Sequence, residues 1–153
     1  MRRKKKLVKH ARNTRVPCIC IVRTAKMMFK GHCIGLVSEE RNDAGEFDWV
    51  IRPNWEVLDS IEPIQISGID MDLRLEEYIR TYVPVFIEQR TLPDTRDGLY
   101  EELERVGLNY NDRFEFMCRT QGLCGNNDIT NARLTEEEQI EFDKKYPIES
   151  LKP

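Results

Sequence analysis

The sequence predicts an α+β domain: a small antiparallel sheet from the N-terminal half packed against a cluster of helices from the C-terminal half. Three observations predict it. Phe47, Trp49 and Ile51 alternate with Glu46, Asp48, Val50 and Arg52, the period of a strand that sets its large side chains on one face. Leu99, Leu103 and Val106 recur at helical spacing and are followed by Gly107, a helix-ending residue. Strand-like segments come first and helix-like segments second, which places helices on one face of an antiparallel sheet. The 153 residues, 40% of them hydrophobic, suffice for a single core. A domain of this size buries roughly 70% of its unfolded surface and needs no metal or disulfide to fold.

The elements are expected in the following order. Residues 1–15 form a polar arm with only Leu7 and Val8 to bury. Residues 16–24, β-branched and Cys-rich, read as a buried strand, with 26–31 as its turn or a short extension and Gly31 as punctuation. Residues 33–38 give a second strand in which Gly35 marks a bulge or a close backbone approach. Residues 39–45, with Asn42, Asp43 and Gly45, are a hairpin loop. The alternating strand that follows ends at Pro53, and Trp55, Val57 and Leu58 form one helical turn as a lid on the sheet. Residues 61–67 are extended and broken by Pro63, and residues 73–80 suggest a helical turn or two.

Pro84 suits a helix start, where a missing N–H costs little, and that helix stops at Leu92, Pro93 and Asp94. Asp94 or Thr95 then caps a helix running to Val106. Asp112 with Glu115 three residues later resembles a capping box, and Phe114, Met117 and Cys118 face the core. A loop over 122–128 leads to Thr135 and Glu138, a second capping box, and a helix to about Lys145. The expected organisation is an arm (1–15), one domain (16–146) and a loose tail (147–153).

Charge is unevenly distributed. The arm holds Arg2, Arg3, Lys4, Lys5, Lys6, Lys9, Arg12 and Arg15 and no acid; the remaining 16 basic and 27 acidic side chains give residues 16–153 a net charge of −11. The body repels nucleic acid, whereas the arm could solubilise the chain, contact phosphates, dock on an acidic protein face or fold back on the body. The apolar run at 18–22 is too short to span a bilayer, and no apolar segment follows the basic N-terminus as in a secretory signal. The expected location is cytoplasmic, with no membrane partner.

Five cysteines at irregular spacing make a poor disulfide framework, so reduced buried thiols are expected. A catalytic thiol needs a base, and the histidines are His10 and His32 alone. His32 and Cys33 are adjacent, which on a strand points them to opposite faces. Cys18, Cys20, His32 and Cys33 form the one conceivable metal set, without the two-residue Cys spacing of zinc sites. Kinase, Walker and dinucleotide motifs are absent, and the clustered acids (Asp70 and Asp72, Glu76 and Glu77, Glu101 to Glu104, Glu136 to Glu138) read as solvated helix faces or caps. No catalytic residue, resident metal or cofactor is expected. Trp49 reads as core, and Trp55 as a lid or as an anchor for a partner's pocket.

The order of short motifs resembles the N-terminal subdomain of HipA-type toxin kinases, which also exists as a separate small protein, HipS, in three-component HipBST toxin–antitoxin systems. Gly35-Leu36 resembles its Val-Gly-x-Leu turn, and Phe47-x-Trp49 followed by Pro53-x-Trp55 resembles its aromatic strand and the segment after it. Pro63-Ile64-x-x-Ser67 and then Phe86 through Leu92-Pro93-Asp94 with Arg96 continue the order. Gly107-Leu108, Asp112-x-Phe114-x-x-Met117 and Gly122-x-x-Gly125 resemble its helical close. The resemblance covers residues 33–128. It implies a non-enzymatic module that binds and restrains a HipA- or HipT-like Ser/Thr kinase, partly through an aromatic anchor. Trp55 is then the contact residue by position, with Trp49, Pro53 and Arg96 beside it.

Overall fold

The structure is a computed structural model that describes residues 22–41, 45–124 and 128–146. The basic arm, Cys18, Cys20 and the C-terminal tail lie outside the described residues. Five strands form one antiparallel sheet: β1 (Arg23–Phe29), β2 (His32–Arg41), β3 (Phe47–Pro53), β4 (Tyr78–Arg80) and β5 (Thr130–Arg133), in the spatial order β4-β3-β2-β1-β5. Five helices accompany it: α1 (Trp55–Leu58), α2 (Val85–Glu88), α3 (Leu99–Arg105), α4 (Arg113–Arg119) and α5 (Glu136–Lys145). The fold is α+β, as the order of periodicities predicts.

Most of the strand expected over 16–24 lies outside the described residues; β1 continues through 26–29, where a turn or a short extension is expected. Within Arg23–Phe29, Ala25, Met27 and Phe29 are buried on one face while Lys26 and Met28 point to the other. The two-residue turn to β2 is Lys30 and Gly31, both at positive φ (48° and 83°), the backbone that matches the twist of a tight hairpin. Gly35 sits within β2 and not in a turn. Met27 pairs with Gly35 and Met28 with Cys33, so Ile34 is the extra residue of a β-bulge. A side chain at Gly35 would put its Cβ 2.9 Å from the Arg52 carbonyl oxygen and 3.0 Å from Pro53 Cα. The bulge also turns the Ile34 carbonyl to the Asn54 amide (2.8 Å), and the Asn54 side chain caps α1 by accepting from the Val57 amide. Gly35 thereby helps to set where Trp55 stands.

The main core lies between the Ala25, Met27 and Trp49 face of the sheet and Phe86, Ile87, Phe114 and Met117 of α2 and α4. A second cluster joins Leu92, Leu99, Leu103, Leu108 and Phe116. The α3 stripe is as predicted, but α3 starts at Leu99 after Gly98 and not at a cap on Asp94 or Thr95. Turns held by Arg96 N–H to Pro93 and Leu99 N–H to Arg96 occupy the intervening residues. Gly107 ends α3 in a Schellman arrangement: Leu108 N–H reaches the Leu103 carbonyl and Gly107 N–H reaches Glu104. Asp112 caps α4 and Thr135 with Glu138 forms a complete capping box on α5, as their spacing predicts.

Two further expectations fail, and one strand was not expected. Residues 73–80 are not helical: a 3-10 turn (Met71–Leu73) leads to β4, whose Tyr78 ring is buried and whose hydroxyl donates to the Asp70 carbonyl (2.7 Å) and accepts from the Leu75 amide (3.2 Å). Tertiary contact overrides the local pattern there. The strand β5 arises from a polar stretch, Thr130–Arg133, without a period of its own. Helices do not keep to one face. Lys26, on the side opposite Ala25 and Met27, is ion-paired with Glu138 of α5 (3.0 Å), so α5 crosses the second face.

That second face is polar and buried. The Arg52 guanidinium, 4% exposed, lies 2.7 Å from Glu40 Oε2 in an ion pair off the hydrogen-bonding direction. Arg52 also donates to Glu77 (2.9 Å) and to the Ser38 hydroxyl (3.3 Å). Tyr146 and Phe142 cover it, with ring centroids 4.2 and 5.5 Å away. Burial opposes its charge, yet Glu40 and Glu77 outweigh burial and raise its pKa.

Candidate partner-binding surface

The short strand β4 closes one side of the sheet, and the segments flanking it carry exposed apolar side chains. Leu73, Leu75, Tyr82 and Val85 are 61%, 42%, 63% and 45% exposed. Polar contacts hold the backbone around Leu75 and Gly68. Trp55 Nε1 donates to the Leu75 carbonyl (2.9 Å), and the Arg74 guanidinium stands 4.7 Å from the Trp55 ring centroid. Arg74 has a left-handed backbone (φ 48°) and pairs in bidentate fashion with Asp59 (2.9 and 2.8 Å). Those hydrogen bonds hold the Asp59 carboxyl below its ordinary range. On the other side of β4, Arg80 donates to the Gly68 carbonyl (3.1 Å), and Gly68 leaves no room for a side chain against Val85.

Arg80 also donates to the Ile79 carbonyl (3.1 Å), so its guanidinium screens backbone on this short strand. A short strand with a charged side chain on it suits docking by side chains better than addition of another strand. Exposed apolar side chains can bury area against a protein.

Trp49 is 6% exposed on the core face, and Pro53 is buried at the end of β3. Trp55 is half-buried, packed on the main core, and keeps one side at the surface. Arg96 is exposed on the loop before α3, 3.9 Å from Glu102. Of the four residues expected at a partner contact, Trp55 and Arg96 therefore have surface, and the geometry joins only Trp55 to the apolar set around β4. Leu75, Tyr82 and Val85 were not singled out from the sequence, since a period assigned to so short a segment does not tell which of its apolar side chains stays exposed.

The described thiols, Cys33, Cys118 and Cys124, are all partly buried. His32 is exposed and Cys33 half-buried with its Sγ toward the Gly35 carbonyl (3.5 Å). Burial raises the Cys33 pKa and pushes that of Cys118 up to about 11. Among the described residues no group of three His, Cys, Asp or Glu side chains is placed to hold a metal ion, and no helix is long and apolar enough to cross a membrane. Arg23, at the start of the described chain, is tied to Glu39 and to Asp112 (2.8 Å), and Tyr110 donates to the same Asp112 carboxylate (2.9 Å). Burial pulls the Asp112 pKa upward, but the hydrogen bonds from Arg23 and the Glu115 amide outweigh it and leave it below the usual range. A comparison with known proteins finds no matching family model, no matching curated protein and no matching solved structure.

Proposed function

We propose that this chain is a non-enzymatic, cytoplasmic protein-binding module, HipS-like and antitoxin-like in role, that docks on a HipA-type Ser/Thr kinase and restrains it. One observation carries the protein-binding part: Leu73, Leu75, Tyr82 and Val85 stand exposed around β4, beside a half-buried Trp55. Large apolar side chains left in water on a fixed frame are a mark of an interaction surface. Trp55, half-buried between the core and the Arg74 guanidinium, is the aromatic anchor proposed within it. The kinase as partner is supported by the order of sequence motifs over residues 33–128.

The test is titration calorimetry with the HipA-type kinase encoded beside this gene in the native host. The expected result is a stoichiometric complex that the double variant Leu75→Asp, Tyr82→Asp weakens at least about tenfold. A kinase that ignores the protein, or binds the double variant as well as the wild type, rejects the proposal.

A second reading has its own observation: eight basic and no acidic side chains within residues 1–15. It makes the protein a nucleic-acid-associated accessory factor. Its binding should weaken with salt with a log–log slope of up to about −7 for eight contacts, and vanish on deleting 1–15. Binding insensitive to that deletion removes this reading.

A further inference from the structure

We propose that the groove between α5 and the second face of the sheet binds a small amphiphilic carboxylate, with its apolar body along the groove and its anionic head at the Tyr146 end. The groove has a volume of about 620 Å³, within the range of sites for small organic ligands. Leu36 of β2, Leu134 before α5, and Phe142 and Tyr146 give it apolar walls. Cys33 opens on the same space. This is unlike the rest of that sheet face, where Ser38, Glu40 and Arg52 meet one another. Phe142 is the one residue of α5 that is buried, and the groove runs beside the helix from Glu137 to Tyr146.

Three carboxylates (Glu137, Glu138 and Glu141) and three ammonium groups (Lys26, Lys144 and Lys145) line the groove, with Glu137 and Glu138 toward one end of α5, Lys144 and Lys145 at the other, and Glu141 between them. At the Thr135 end, Glu138 is taken up by its own capping box and by Lys26. At the other end stand Lys144 and Lys145. Lys144 reaches Glu141 only at 3.9 Å, and Lys145 has no carboxylate partner among the described residues, its ammonium standing 5.6 Å from the Tyr146 ring. An apolar chain thus finds hydrocarbon walls, and a carboxylate at one end of it finds two cations. The site is separate from the surface around β4, and the proposal does not rest on the function assigned to that surface.

Dodecanoate is a suitable probe. Calorimetry on the full chain should give a dissociation constant on the order of 10 µM. The exposed double variant Lys144→Glu, Lys145→Glu should weaken binding roughly tenfold, and Leu36→Trp, which fills the groove, should abolish it. In the wild-type protein, saturating dodecanoate should slow maleimide labelling of Cys33, read by mass spectrometry, and leave Cys118 unchanged. That readout does not depend on any variant folding. Absence of binding, equal or tighter binding of dodecylammonium, insensitivity to the lysine reversal, or unprotected Cys33 would each overturn the proposal.

Discussion

Replacing Gly35 by alanine tests whether the bulge in β2 sets the sheet and, through it, the position of Trp55. The added Cβ would lie 2.9 Å from the Arg52 carbonyl oxygen and 3.0 Å from Pro53 Cα. Both are backbone atoms of β3, and β3 is paired with β2 on one side and β4 on the other, so neither strand can step aside without giving up ladder bonds. Moving them by a few tenths of an ångström should cost about 2 kcal/mol, or about 6 °C in melting temperature for a chain of this length. Gly31→Ala is the control. Its Cβ meets nothing within 4 Å, and its positive φ of 83° alone should cost about 1 kcal/mol. Urea unfolding followed by circular dichroism measures both. If Gly35→Ala costs less than about 0.5 kcal/mol, or no more than Gly31→Ala, the close approach of β2 and β3 is not a constraint and the reasoning fails.

Two further predictions follow from the titrating groups. With its pKa at about 11, Cys118 should be almost wholly protonated at pH 8. Iodoacetamide should therefore modify it about 200-fold more slowly in the folded protein than in urea, as followed by mass spectrometry, and near-equal rates would contradict its burial. Asp112 has its folded pKa below the usual carboxylate value. Its contribution to stability is present above about pH 4 and is lost as pH falls through the folded value, so Asp112→Asn should flatten the acid limb of a stability profile below about pH 4. An unchanged limb would place the acid sensitivity elsewhere.

Much of the architecture was legible because local chemistry and tertiary placement agree. The alternation at Trp49 and Ile51, the α3 stripe ending at Gly107, and the caps at Asp112 and Thr135 each specify their own geometry through short-range bonds. The misses share a cause. Strand β4 forms from Tyr78, Ile79 and Arg80 because β3 needs a partner and the Tyr78 ring needs a buried place, and neither need is visible in a three-residue window. Strand β5 is likewise recruited by β1. The buried Arg52 cluster was missed because period-two reading assigned its face to solvent, and α5 covers that face from about 85 residues away in the sequence. The candidate surface was legible only in Trp55. Its other members are apolar residues in short elements and the segments between them, where exposure is decided by the fold and carries no sequence signal.

The central claim is that apolar side chains around β4 make this chain a docking partner and not a catalyst. The most direct measurement is the affinity of the proposed partner, a HipA-type kinase sought in the native host, for the wild-type protein and for the Leu75→Asp, Tyr82→Asp variant, after circular dichroism has shown the variant to be folded. The account predicts a tight complex for the first and at least about a tenfold loss for the second. Equal affinity for both, or no complex with either, would contradict it.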